Sequence, residues 1–134
     1  MLGRLTTILL LLGCASALSA EQPPGPSLSD LMKYPAYVTA YKSMLTGETV
    51  PDWVGSYAET LDGPPTPSVE VPVTNETYRM GFTCQPNACG DNQLYVLFTP
   101  EATQAWGLLI EGKEHRWLGH PFPNIKSAIL SLLE

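Results

Sequence analysis

The chain has 134 residues, 44% hydrophobic and 15% charged, with 13 acidic against seven basic side chains and a formal net charge of −6. That balance speaks against a nucleic-acid partner, because phosphate neutralisation takes clustered Lys and Arg, and it favours a basic partner through steering and complementary potentials. The length accommodates one domain with a single core, not two.

At the N-terminus, Met1–Arg4 carries one positive charge, Leu5–Leu12 is almost wholly apolar, and Ala15, Ser16, Ala17, Ser19 and Ala20 are small. This is the three-part layout of a secretory signal. The apolar run is too short to cross a bilayer as a helix, which takes about 20 residues. Residues 1–20 are therefore expected to be a removed signal peptide, and the protein to act in the periplasm. Leu11-Leu12-Gly13-Cys14 resembles a bacterial lipoprotein box, and the alternative it raises is a lipid anchor at Cys14 holding the protein in the outer membrane. Leu12 stands where that box has a smaller residue, so the soluble form is preferred. On either reading Cys14 leaves the pairing arithmetic, and Cys84 and Cys89 remain as an even pair in an oxidising compartment, the setting for a disulfide.

Residues 21–34, with Pro23, Pro24 and Pro26, are expected to form a flexible N-terminal arm. The domain then spans 35–134. Pro35 suits the opening turn of a helix, and Tyr37, Val38, Tyr41, Met44 and Leu45 recur at helical spacing up to a stop at Gly47. Val50–Val54 reads as an anchor that sets Trp53 against the core. Between Tyr57 and Ser68 the Gly63, Pro64, Pro65 and Pro67 sequence predicts a stiff loop outside any ladder.

Val69, Val71 and Val73 alternate with polar residues and Pro72, the pattern of an edge strand. A turn at 74–76 leads to a second strand, 77–83, with Tyr78, Met80, Phe82 and Cys84 on its inner face. Residues 93–99, with Leu94 to Phe98 apolar on both faces, read as the central strand. Thr103–Glu111 and Glu114–Leu118 follow as antiparallel strands about a Gly112-Lys113 turn. Asn124 is the expected N-cap of a final helix carrying Ile125, Ala128, Ile129, Leu132 and Leu133 on one face. Helix, four or five antiparallel strands, helix is an α+β single domain.

No nucleophile with a matching base is visible, and no G-x-S-x-G or phosphate-cradling glycine loop occurs. The chain is accordingly read as a non-enzyme without a cofactor. Cys84-x4-Cys89 together with His115-x4-His120 is a weak zinc pattern, disfavoured because the compartment oxidises thiols; the two histidines are expected at the surface. Trp53, Trp106 and Trp117 are expected in the core.

The stretch Thr83–Asn92, T-C-Q-P-N-A-C-G-D-N, joins two strands and carries the cysteine pair. A six-residue ring restrains few conformations, for roughly 2 kcal/mol in the entropic model. Its larger effect is rigidity, which Pro86 increases. Gln85, Asn87 and Ala88 are then either a stiff wedge for a partner, bound at little ordering cost, or the residues of a structural clip.

These residues, with Gly47, Pro51, Trp53 and Val54, Glu76-Thr77-Tyr78, Thr103–Leu109 and Trp117-Leu118, resemble the inhibitor-of-vertebrate-lysozyme (Ivy) family over most of the mature chain. The resemblance implies an exported protein that blocks C-type lysozyme, or a related muramidase, by inserting its loop into the active-site cleft. The family loop typically reads C-K-P-H-D-C, its histidine meeting the two catalytic carboxylates. Cys84, Pro86, Cys89 and the following Gly90 match; Gln85 replaces the lysine, Asn87 the histidine and Ala88 the aspartate. The implied partner-binding loop is Gln85, Pro86, Asn87, Ala88, Gly90 and Asp91. The substitutions raise an alternative, a binding module retuned to another periplasmic partner such as a lytic transglycosylase. A homodimer through the Val69–Val73 edge or the N-terminal arm is a further expectation from the family.

Overall fold

The computed structural model describes Gly3 and residues 25–134. Cys14, the rest of the expected signal peptide apart from Gly3, and the first residues of the expected arm lie outside the described residues. The sheet has five antiparallel strands in the order β1-β2-β3-β4-β5: β1 Val69–Val73, β2 Glu76–Cys84, β3 Asn92–Phe98, β4 Ala105–Glu111 and β5 Glu114–Leu118. Each strand pairs with its neighbours in sequence. The alternation of Val69, Val71 and Val73 and the turn at Gly112 set the outer strands close to where the residue pattern puts them. Pro72, which cannot donate, sits on the β1 edge opposite Thr77.

Side-chain period two divides the sheet into two covered faces. Leu94, Val96 and Phe98 of β3 join Leu109 and Leu118 in one core cluster, and Leu97, Trp106 and Leu108 lie in the other. That is why β3 is apolar on both sides. Four helices cover the first face: α1 Leu28–Leu31, α2 Pro35–Met44, α3 Asp52–Gly55 and α4 Tyr57–Thr60. The other face is covered by α5, Pro123–Ser131, through Ile125 and Ile129. The result is the α+β single domain expected, with a helix before and after the sheet.

Glycines let the helices approach. A Cβ on Gly81 of β2 would lie 2.8 Å from Leu28 Cδ1, and one on Gly107 of β4 would lie 3.0 Å from Met44 Sδ. The Tyr41 hydroxyl, on α2, donates to the Val54 carbonyl at 2.6 Å and ties α2 to α3. Burial first, and then the neighbouring Tyr57 and Glu59, push the Tyr41 phenol far above its ordinary range.

Several boundaries differ from the sequence reading. Ser27–Met32, expected within a mobile arm, are packed: Leu28, Leu31 and Met32 are core, and Ser27 bridges Pro67. A capping box supplies the local reason, since the Ser27 hydroxyl accepts from the Asp30 amide while the Asp30 carboxylate accepts from the Ser27 amide. Hydrogen bonds from Lys33 and then Ser27 hold that carboxylate below its usual range. The expected loop after Tyr57 opens with α4, whose Tyr57 is buried. The last helix starts at Pro123 with Phe122 as N-cap, rather than being capped by Asn124, because proline fits the first helical position. Trp106 is core, whereas Trp53 and Trp117 are half-buried against it. His115 and His120 are both exposed.

Candidate functional site: a cross-linked hairpin loop

The β2–β3 ladder runs to Cys84 opposite Gln93, and the Gln85 amide extends it by donating to the Asn92 carbonyl at 3.0 Å. The chain then turns back at once, with the Ala88 amide donating to the Gln85 carbonyl at 3.0 Å. Pro86 occupies the second position of this turn, and Asn87, at φ 67°, the third. Proline followed by a positive φ is the type II pattern. Asparagine is one of the few side chains that takes the left-handed region readily, and histidine shares the tendency. Asn87 therefore meets a backbone requirement before any binding requirement.

The ring is closed by a Cys84–Cys89 disulfide with a Cα–Cα distance of 4.9 Å, inside the range such bonds need. Neither thiolate is then available to a metal, which removes the cysteine half of the zinc pattern. Among the described residues, no group of three His, Cys, Asp or Glu side chains is placed to hold a metal ion.

Internal hydrogen bonds stiffen the ring further. Asn92 Nδ2 donates to Gln85 Oε1 at 2.8 Å, and Gln93 Nε2 donates to the Cys89 carbonyl at 3.1 Å. The Tyr95 hydroxyl donates to Gln93 Oε1 at 3.1 Å, and burial raises that phenol above its ordinary value. The Asp91 and Asn92 amides both donate to the Ala88 carbonyl, and the Gly112 amide of the β4–β5 turn donates to the Asp91 carbonyl at 2.7 Å. The loop is thus braced against its own hairpin and the adjacent one.

The predicted loop residues divide on this geometry. Pro86 and Asn87 are exposed at the tip, Gly90 and Asp91 are exposed behind it, and Ala88 is half-buried. Gln85, expected to face a partner, is half-buried and spends its side-chain oxygen on Asn92. Gly90 has a free Cβ direction and no positive φ, so nothing local requires glycine there. Asn92 and Gln93 act on the loop although the sequence singled out neither; their amides gain a role only from the strand register.

Residues 62–64 lie alongside the ring. Asp62, Gly63 and Pro64 form one wall, and Cys84, Gln85, Pro86, Asn87 and Cys89 the other, of an open groove of about 630 Å³. The only sequence signal for this wall was the run of glycine and prolines. Chemically, the site offers a pre-ordered projection whose exposed polar tip is the Asn87 amide, beside a groove bordered by the Asp62 carboxylate.

A family model described as "Inhibitor of vertebrate lysozyme (Ivy)" matches residues 36–123, a span that contains the whole sheet and the ring. A Pseudomonas aeruginosa protein named inhibitor of vertebrate lysozyme is 27% identical, over 98% of this chain and 93% of its own length. The Escherichia coli K12 protein of the same name is 28% identical over 78% of this chain and 61% of its own length. An uncharacterized protein of Yersinia pestis is 24% identical over 81% of this chain and 77% of its own length.

Proposed function

The chain belongs to the inhibitor-of-vertebrate-lysozyme family, and from that membership we propose that it is a stoichiometric protein inhibitor of a C-type lysozyme, acting as a plug rather than a catalyst. The observation that carries the reading is Asn87, exposed at the tip of a disulfide-closed turn. Muramidases of this kind hold two carboxyl groups across the scissile bond. The Asn87 NH2 group donates to one of them, and Pro86 fills the space beside it. Because the ring is ordered beforehand, little conformational entropy is lost on docking. The excess of acidic side chains, all 13 of which lie after residue 20, supports steering towards a basic target.

A second reading is favoured by the loop chemistry. A neutral amide bond contributes about 0.5–1.5 kcal/mol where a charged donor contributes about 1.5–3 kcal/mol, and Gln85 is turned inward. On that reading the scaffold serves another periplasmic muramidase, such as a lytic transglycosylase. Both readings place the protein in the periplasm, freed by cleavage near residue 20 or anchored through Cys14, and both allow a homodimer.

Titration of residues 21–134 against a C-type lysozyme, following binding heat and cell-wall lysis together, tests the first reading. Tight one-to-one inhibition is expected. Absence of binding, with inhibition of a lytic transglycosylase instead, would transfer the function to the second.

A further inference from the structure

The segment 61–65 is held in an unusual conformation beside the ring. Leu61 is in the left-handed region at φ 54°, and Gly63 follows at φ 147°. Leu61 is the left-handed C-cap that ends α4, its amide donating to the Tyr57 carbonyl at 2.8 Å, and Gly63 packs on β2, where an added Cβ would collide with the Thr83 hydroxyl. Thr83 is fully buried. Its Oγ1 has no hydrogen-bond partner among the described residues, although it stands near enough to the Tyr57 phenol to affect its acidity. Gly63 thus lies directly over Thr83, one residue before the disulfide, and fixes the distance between residues 62–64 and the ring.

Lys33, Lys42, Arg79 and Arg116 form ion pairs with Asp30, Glu59, Glu70 and Glu111. No such pair among the described residues engages Asp62, which is exposed on the groove rim with its backbone amide donating to Thr60 Oγ1. The groove lining contains this one carboxylate and no cationic side chain.

The geometry points to a second binding element: Asp62, positioned by Gly63 on Thr83, accepts a lysine or arginine of the same muramidase whose cleft receives the ring, with that side chain seated in the groove between them. This rests on the inhibitor reading above. A side chain laid across the groove would rest its stem against Pro64 and Pro86 and leave its charged head at Asp62 on the rim, the arrangement that suits an amphipathic cationic side chain.

The test is binding kinetics of the full mature chain with a C-type lysozyme, comparing wild type with Asp62→Asn, Asp62→Lys and Gly63→Ala. Diffuse steering by an acidic surface acts on the association rate, whereas a seated charge pair acts on dissociation. Expected is an approximately tenfold faster dissociation for Asp62→Asn and a larger increase for Asp62→Lys, with unchanged thermal stability because Asp62 is exposed. Gly63→Ala, which shifts the wall, should weaken binding while leaving the ring disulfide formed. Wild-type dissociation rates in Asp62→Lys would overturn the second element and leave the inhibitor reading standing. Failure of the wild type itself to bind lysozyme would overturn both.

Discussion

Asn92 Nδ2 donates to Gln85 Oε1 across the mouth of the disulfide ring, at 2.8 Å. Gln85 is therefore a brace between the two strands. Gln85→Ala removes a neutral bond worth about 1 kcal/mol, and the loss should appear as looser pre-organisation of the loop and an affinity about fivefold lower. Amide exchange at Asn92 and calorimetric titration against lysozyme are the measurements; faster exchange with unchanged affinity would mean the brace serves the fold alone.

Asn87→His with Ala88→Asp should raise affinity for a C-type lysozyme by about tenfold or more, since a charged donor would face the catalytic carboxylates. Histidine tolerates the left-handed conformation that Asn87 adopts at φ 67°, so the turn is kept. Asn87→Gly preserves the same backbone without the amide and should weaken inhibition. If the double variant binds no better than wild type, the ring is not at the interface.

Mild thiol reduction should open the ring at a cost of about 2 kcal/mol while far-ultraviolet circular dichroism remains native. Two core clusters on opposite sheet faces are independent of the bond. Inhibition should fall on reduction and return on reoxidation. Collapse of all secondary structure on reduction would contradict the picture of a domain that folds without its clip.

Gly81→Ala should destabilise the domain by about 1–3 kcal/mol, because the added methyl meets Leu28 Cδ1 at 2.8 Å and Leu28 Cβ at 3.2 Å. Urea midpoints give the value. In a Leu28→Ala background the same change should cost less, since the 2.8 Å approach to Cδ1 is removed and only the 3.2 Å approach to Cβ remains, a coupling that exists only if residues 27–32 are seated on β2.

Alkaline pH should destabilise the fold through Tyr41. Its phenol is raised when folded and ordinary when unfolded, so the stabilisation is complete below about pH 10 and is lost as pH rises above that value. The slope is about 1.4 kcal/mol per pH unit for the one proton. Tyr57, also raised by burial, adds in the same direction. Tyr41→Phe leaves the Val54 carbonyl without its donor and lowers stability at neutral pH by about 1–3 kcal/mol. It should also flatten the loss above pH 10, as read from denaturant midpoints across the pH series.

The strands were legible because their signals are local: alternating valines for β1, apolar residues on both faces for β3, Gly112 between β4 and β5. The helical layer was less so. Ser27-Leu28-Ser29-Asp30 carries a capping signal that the surrounding prolines concealed, and four-residue helices such as Tyr57–Thr60 have too few turns to show a period. At the loop, the cysteine pair and Pro86 could be read from the chain. The inward turn of Gln85 and the meeting of Gly63 with Thr83 could not, since the first follows from strand register and the second from packing between segments about 20 residues apart.

In the sheet, spatial order repeats chain order, with no crossover anywhere in β1 to β5. Assembly therefore needs only short loop closures, the regime in which ordering proceeds quickly compared with sandwiches whose strands must find distant partners. The β2–β3 hairpin brings Cys84 and Cys89 together by itself. The Cys84–Cys89 bond therefore closes within one hairpin and needs neither the outer strands nor the covering helices to bring its two cysteines together.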